Sequence, residues 1–178
     1  MAFNYENLTN EVRDLMLKEL ESDISANREF ISNRLNSQGI EHYLSIFKSS
    51  ISNGNEVTFA KALGENNYFS EYETRTRNGK MIQARVPRTA NIVLAEGEFN
   101  RYYMRALCLK VIHDGKGRLV VYRAKEVSNP RLESNEKIGS IVDAVELLND
   151  LKENIGLDTS LGLPPGPNSG LSIKIEFI

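Results

Sequence analysis

Through the first sixty positions, apolar residues recur at intervals of three and four. Val12, Leu15, Met16, Leu20 and Ile24 alternate with Glu11, Arg13, Lys18 and Glu19. This one-sided stripe predicts a helix over about residues 10–25, with Thr9 as its N-cap. Asn33 to Gly39 is polar and turn-like. A second helix is predicted through Ile40, Tyr43, Leu44, Phe47 and Ile51, stopped by Asn53-Gly54. Asn55 is placed to cap a shorter third helix carrying Val57, Phe59, Ala60 and Leu63, with Gly64 as its C′ residue.

After residue 64 the period changes. Tyr72, Thr74 and Thr76 alternate with charged residues, and Asn78-Gly79 predicts a hairpin whose second strand runs from Lys80 to Val86. Pro87 ends that strand, and Thr89 is positioned to cap the longest helix, about Ala90 to His113. Apolar residues such as Val93, Phe99, Met104, Leu107 and Val111 nearly encircle this helix, which predicts that it is central and packed on several sides. Leu119 to Tyr122 is a compact β-rich run. A polar, irregular stretch follows from Val127 to Gly139, and a last helix opens on Asp143 with Glu146 three residues on. Its stripe is Leu147, Leu148, Leu151 and Ile155, ended by Gly156. The Pro/Gly-rich segment 163–170 reads as a stiff loop that delivers a final strand. In that strand Leu171, Ile173, Ile175 and Phe177 face a core and Ser172, Lys174 and Glu176 face solvent.

The order of elements predicts an α+β fold with a helical N-terminal part, a long central helix and a small, mainly antiparallel sheet. With 178 residues and no break in composition, one domain over 1–178 is expected, divided into a helical subdomain 1–64 and a central helix plus sheet, 65–178.

Composition narrows the function classes. The 22 basic and 24 acidic side chains are spread along the chain and leave a net charge of -2, so no summed field draws in nucleic acid. No apolar run approaches the roughly 20 residues of a membrane span, and the N-terminus has no secretory pattern. The expected setting is therefore cytoplasmic. Cys108 is the sole cysteine, set among Met104, Ala106, Leu107, Leu109 and Val111, and reads as a small buried hydrophobe. His42 and His113 lack spaced partners, so neither a metal nor another cofactor is expected. The nucleophile-elbow, zinc-protease, P-loop and dinucleotide motifs do not occur, and no catalytic residue is assigned.

Two polar rows interrupt the long apolar helix: Glu98, Arg101 and Arg105, and beside them Glu96, Asn100 and Tyr103. The ordinary role of such rows is ion pairing on a helix surface. Their functional alternative is an anion site in which Arg101 and Arg105 join Arg123 and Arg131 from the following strand and turn. Such a site would suit an enzyme or sensor that binds a phosphorylated small molecule or nucleotide.

Four stretches of text, Ala95 to Tyr103, Val121 to Lys125, Ser128 to Arg131 and Gly162 to Leu171, resemble an uncharacterised family of small bacterial and tailed-phage or prophage proteins. The resemblance implies a phage setting and carries no activity or catalytic residue. Together with the missing catalytic constellation, it leads to an expected function of contact. The chain would be a non-catalytic binding or assembly module, a structural component of a phage particle such as its capsid, neck or connector region. Its partner would be another protein or a second copy, and its location the host cytoplasm or the virion.

Overall fold

The computed structural model describes residues 2–156, 161 and 169–177. Its elements are α1 (Asn10–Ser25), α2 (Ser37–Asn53), α3 (Glu56–Glu65), β1 (Tyr72–Arg77), β2 (Lys80–Arg85), α4 (Ala90–Asp114), β3 (Arg118–Arg123), α5 (Leu132–Lys137), β4 (Ile141–Val142), α6 (Ala144–Glu153) and β5 (Leu171–Glu176). The fold is α+β.

Local chemistry accounts for most of the helix starts. Thr9 accepts a hydrogen bond from Val12 N through its side chain. Asn55 accepts from Val57 N and Thr58 N while the Thr58 hydroxyl accepts from Asn55 N, so each residue satisfies an otherwise unpaired donor of the other. Asp143 does the same work for Val145 N and Glu146 N at α6. Two expected caps differ. Thr89 precedes α4 without a side-chain capping bond, and α3 runs one residue past Gly64, ending on Asn66. Helix α2 also begins earlier than its apolar stripe, because the Asn36 side chain accepts from Gly39 N and pulls Ser37, Gln38 and Gly39 into the first turn.

Helix α4 is the axis of the molecule. It packs against α1, α3 and α6 and against the β3 and β5 strands, and Phe99, Tyr103, Ala106, Leu107 and Cys108 are completely buried along it. Between α2, α3 and α4 the aromatic rings cluster: Phe47 stacks on Phe59, Tyr43 is tilted against both, and the Tyr102 ring is edge-on to Phe47 at 5.4 Å. The sheet beside α4 has the order β4-β3-β5, all antiparallel. Leu119 is opposite Ile175 and Val121 opposite Ile173, and all four are buried. The alternation stops short of its expected end: Phe177 lies beyond the last ladder pair and is 71% exposed. The stretch read as irregular contains α5 and is followed by the two-residue β4, neither of which has a periodic apolar pattern. Gly162 to Asn168, the greater part of the expected Pro/Gly loop, lies outside the described residues.

β1 and β2 form a separate two-stranded sheet. Asn78 and Gly79, both with positive φ (50° and 73°), make the tight turn between them, the geometry in which an Asn-Gly pair matches the strand twist. Beyond each other, neither strand packs on another element to any extent.

No helix among the described residues is long and apolar enough to cross a membrane.

Candidate functional site

A helix with 3.6 residues per turn brings Leu94, Glu98, Arg101 and Met104 to one side of α4, and against this side lies a cavity of about 390 Å³. Its other walls come from the α1–α2 connection (Phe30 to Arg34), from Glu73 at the base of β1, from Phe3, from the end of α6 (Leu151 and Gly156) and from Ser169 to Leu171. The volume falls within the range of ordinary small-ligand pockets.

Each wall is fixed by identifiable bonds. Asn36 N donates to Tyr68 O (2.9 Å) and Ser70 N to Arg34 O (2.9 Å), which ties the α1–α2 connection to the hairpin base. Arg34 Nε donates to Glu73 Oε2 at 2.7 Å, and Arg75 holds the other oxygen of that carboxylate. On the opposite side Asn100 uses both ends of its amide. Its Nδ2 donates to Leu171 O (2.9 Å), and its Oδ1 accepts from the Ser172 hydroxyl (2.7 Å). Gly170 completes that wall with φ at +74° while its carbonyl accepts from Ala124 N and Lys125 N. A Cβ there would lie 2.2 Å from Lys125 O, so the close approach requires glycine.

The electrostatics centre on Arg101. Its side chain is 5% exposed, Nη2 donates to Glu98, and the guanidinium carbon lies 5.1 Å from the centre of the Tyr102 ring. Nε and Nη1 are buried without a hydrogen-bond partner. A buried donor left unpaired costs about 1–3 kcal/mol, so this guanidinium sits at a disadvantage that an acceptor would remove. Burial pushes the Glu98 carboxyl above the usual carboxylate range, and the adjacent Arg101 only partly offsets it. The Tyr43 hydroxyl, also buried and unpartnered, is pushed up by burial and then by Glu98.

One turn further along α4, Arg105 is in the opposite condition. It is 1% exposed and fully engaged: Nε donates to Glu19 Oε2 at 2.8 Å, and its terminal nitrogens bond Glu19 and Asp23 on α1. Asp23 also accepts from the Tyr102 hydroxyl at 2.8 Å. Burial alone would raise the Asp23 carboxyl, but the hydrogen bonds from Arg105 and Tyr102 outweigh it and hold the group below its ordinary value. Lys152 adds a third cation contact at Glu19, 3.2 Å away.

Of the four arginines expected to form an anion site, the cavity takes Arg101 alone. Arg105 turns to α1. Arg123 donates to Ser169 O (2.8 Å) and Asn135 Oδ1 (2.7 Å), bracing the segments before β5 and within α5. Arg131 stands at the N-cap position of α5, away from the cavity wall. From the two polar rows of α4, Glu96, Glu98, Asn100 and Arg101 line the cavity; Tyr103 instead accepts from Asn7 N at 3.1 Å. Arg34 and Glu73 are the residues that sequence reasoning missed, since they come from a connection and an exposed strand whose pairing no periodicity reveals. The only available hint was the polar turn from Asn33 onward.

Chemically, the arrangement presents one buried guanidinium, paired with Glu98 and with two nitrogens unpartnered, in a wall that mixes Arg34, Glu73, Glu96 and Asn100 with Leu94, Met104 and Leu151. None of the lining residues is a histidine or cysteine, and among the described residues no group of three or more His, Cys, Asp or Glu could hold a metal ion. No family model, curated protein or solved structure matches the chain.

Proposed function

We propose that this chain is a non-catalytic assembly module, a structural component of a tailed-phage particle in its capsid, neck or connector region, joined to its neighbour through the β1–β2 hairpin. The observation that carries this reading is the hairpin itself. Ten of its twelve strand residues are exposed, including Met81 at 77%. Two strands alone are marginal in water, so an arm held to its own chain only near its base, where Arg34 pairs with Glu73, is best explained by a partner that covers the rest.

Charge favours a second copy as that partner. The strands carry Arg75, Arg77, Lys80 and Arg85 against Glu73, a net +3, while the whole chain is -2, which leaves -5 on the remainder. Arg77 and Lys80 flank the turn, are exposed, and have no ion-pair partner among the described residues. A basic arm on one copy is thus complementary to the acidic body of another, and complementary fields of this kind speed and orient association. The resemblance of the chain's text to small tailed-phage proteins supports the setting.

Sedimentation of the full chain across a salt series tests the contact. The wild type is expected to self-associate at low salt and dissociate as salt screens the arm. The Arg77→Glu, Lys80→Glu double variant should remain monomeric with an unchanged circular dichroism spectrum. A wild type that stays monomeric at millimolar concentration, or a double variant that assembles as the wild type does, would overturn the homotypic contact.

A further inference from the structure

The outer edge of the three-stranded sheet is built from α5, β4 and the start of α6, and it exposes apolar and acidic side chains together. We infer that this face receives the β1–β2 arm of a second copy, with Arg77 and Lys80 against its carboxylates and Ile82 against its apolar side chains. The inference rests on the reading of the hairpin as an assembly arm and adds the place where that arm lands.

Topology makes the face. β3 has β5 on one side and β4 on the other, and among the described residues no strand lies beyond β4. The segment from α5 to β4 follows that edge of β3. Arg123 donates to Asn135 Oδ1 in α5, Gly139 N to Val121 O and Val121 N to Ser140 O, and Ile141 is opposite Val120. Opposed residues of an antiparallel pair share a sheet face. Val142 therefore joins Leu119 on the side of the core, while Ile141 points to the other side and is 60% exposed. Leu132, Ile138 and Val145 are exposed as well. Single exposed apolar residues are ordinary on a surface, but a group of them at an open sheet edge invites a partner.

Charge names the partner. The chain outside the arm carries -5, and residues 132–153 supply -4 of it, from six carboxylates against Lys137 and Lys152. Lys152 is turned to Glu19. Glu133, Glu136, Glu146 and Glu153 are exposed, and none has an ion-pair partner among the described residues. Carboxylates exposed on other elements are mostly paired within the chain, Glu11 with Lys110, Glu21 with Lys48, Glu65 with Lys61 and Glu71 with Arg85. On the arm, Arg77 is opposite Lys80 and Arg75 opposite Ile82, so these four share one face of the ribbon. Arg75 is engaged by Glu73, which leaves Arg77 and Lys80 open beside Ile82. The two faces therefore match in kind, open cations to open carboxylates and apolar to apolar, and such matching fixes orientation and register. The arm does not pack on α5, β4 or α6 of its own chain to any extent, so the face is left for the arm of another copy.

Sedimentation of full chains at low salt tests the match with four double variants, all at exposed positions. Glu136→Lys, Glu146→Lys changes the face, and Arg77→Glu, Lys80→Glu changes the arm. Asp14→Lys, Glu41→Lys makes the same change in net charge on α1 and α2. Ile138→Ser, Ile141→Ser removes apolar contact and leaves the charge alone. Circular dichroism and the melting temperature are expected to match the wild type in all four. The face and arm variants should each be monomeric alone, and a 1:1 mixture of them should assemble, because each supplies the charge that the other lacks. The α1 and α2 control should assemble as the wild type does, and the serine variant at least tenfold more weakly. A face variant that assembles like the wild type while the arm variant does not would overturn the landing place and leave the arm reading standing. A mixture that stays monomeric, a control as weak as the face variant, or a serine variant of wild-type strength would each overturn the landing place too. A monomeric wild type is the distinct result that removes the arm reading and this inference with it.

Discussion

At the scale of single residues, three of the polar or reactive groups that α4 buries meet different fates. Arg105 is surrounded by carboxylates, Arg101 is only half satisfied, and Cys108 has only apolar surroundings. Removing one member of a buried ion pair leaves the other charge stranded, typically costing about 3–5 kcal/mol, so Arg105 is retained for structural reasons alone. Burial pushes the Cys108 thiol up to about 12. Only the thiolate is nucleophilic, and this one is scarce and inaccessible at neutral pH. We expect labelling of the native protein by a disulfide reagent to run at least a hundredfold slower than labelling of the urea-unfolded chain, and comparable rates would refute the structural assignment. The cysteine's role was legible in the sequence because its neighbours in a turn of helix are apolar. The fate of Arg105 was not, because it depends on Glu19 and Asp23, more than eighty positions away.

At the scale of elements, what the sequence disclosed follows the strength of local chemistry. α1 begins and ends where its stripe and its threonine cap place it, and the Asn78-Gly79 turn forms as its φ requirements dictate. α5 and β4 escaped notice because neither is amphipathic; α5 is a six-residue polar turn and β4 a two-residue pairing with β3. The cavity escaped for a related reason, since six segments meet there and only α4 announces its share. β5 lies between these cases. Its period of two identified Leu171, Ile173 and Ile175 correctly, but not where the ladder stops, nor that Ser172, read as facing solvent, is fully buried where its hydroxyl donates to Asn100. Burying those three side chains is worth about 1.5–3 kcal/mol each, against a typical domain stability of about 5–15 kcal/mol. Truncation after Gly170 should therefore give a molten or insoluble product, judged by loss of near-ultraviolet dichroism. A truncated chain that keeps the native melting temperature would show the strand to be dispensable.

At the scale of the whole molecule, stability should respond to pH through two carboxyls that pull in opposite directions. Asp23 is held low, so its contribution is present above the unfolded value of about 3.9 and is lost as pH falls through the lower native value. Glu98 is held high, so the folded chain binds its proton more tightly than the unfolded chain does. The folded state is favoured most below the ordinary glutamate value of about 4.3, and this advantage declines as pH rises through the elevated native value. Glu98→Gln removes only the second dependence. Its stability relative to wild type, measured by urea denaturation, should improve as pH rises above about 4.3 and level off once pH has passed the elevated native value. A difference that does not change with pH would show the Glu98 carboxyl to titrate alike in the folded and unfolded chain.

The N-terminal tail has a bearing on when the fold can be completed. Asn7 Oδ1 accepts from Ile175 N at 2.9 Å on the outer edge of β5, and Asn4 N donates to Ala124 O at 2.8 Å just past β3, so both strands are bonded by residues synthesised well before them. Contacts spanning nearly the whole chain are slow to find, because the loop they close is long. A nascent chain still lacking residue 175 can assemble α1 to α3 around the first turns of α4, but its leading segment has nowhere to dock. The union of Asn7 with Ile175 is then a late event in folding. It falls after synthesis of β5, and until then both the tail and the edge it seals stay open to competing partners.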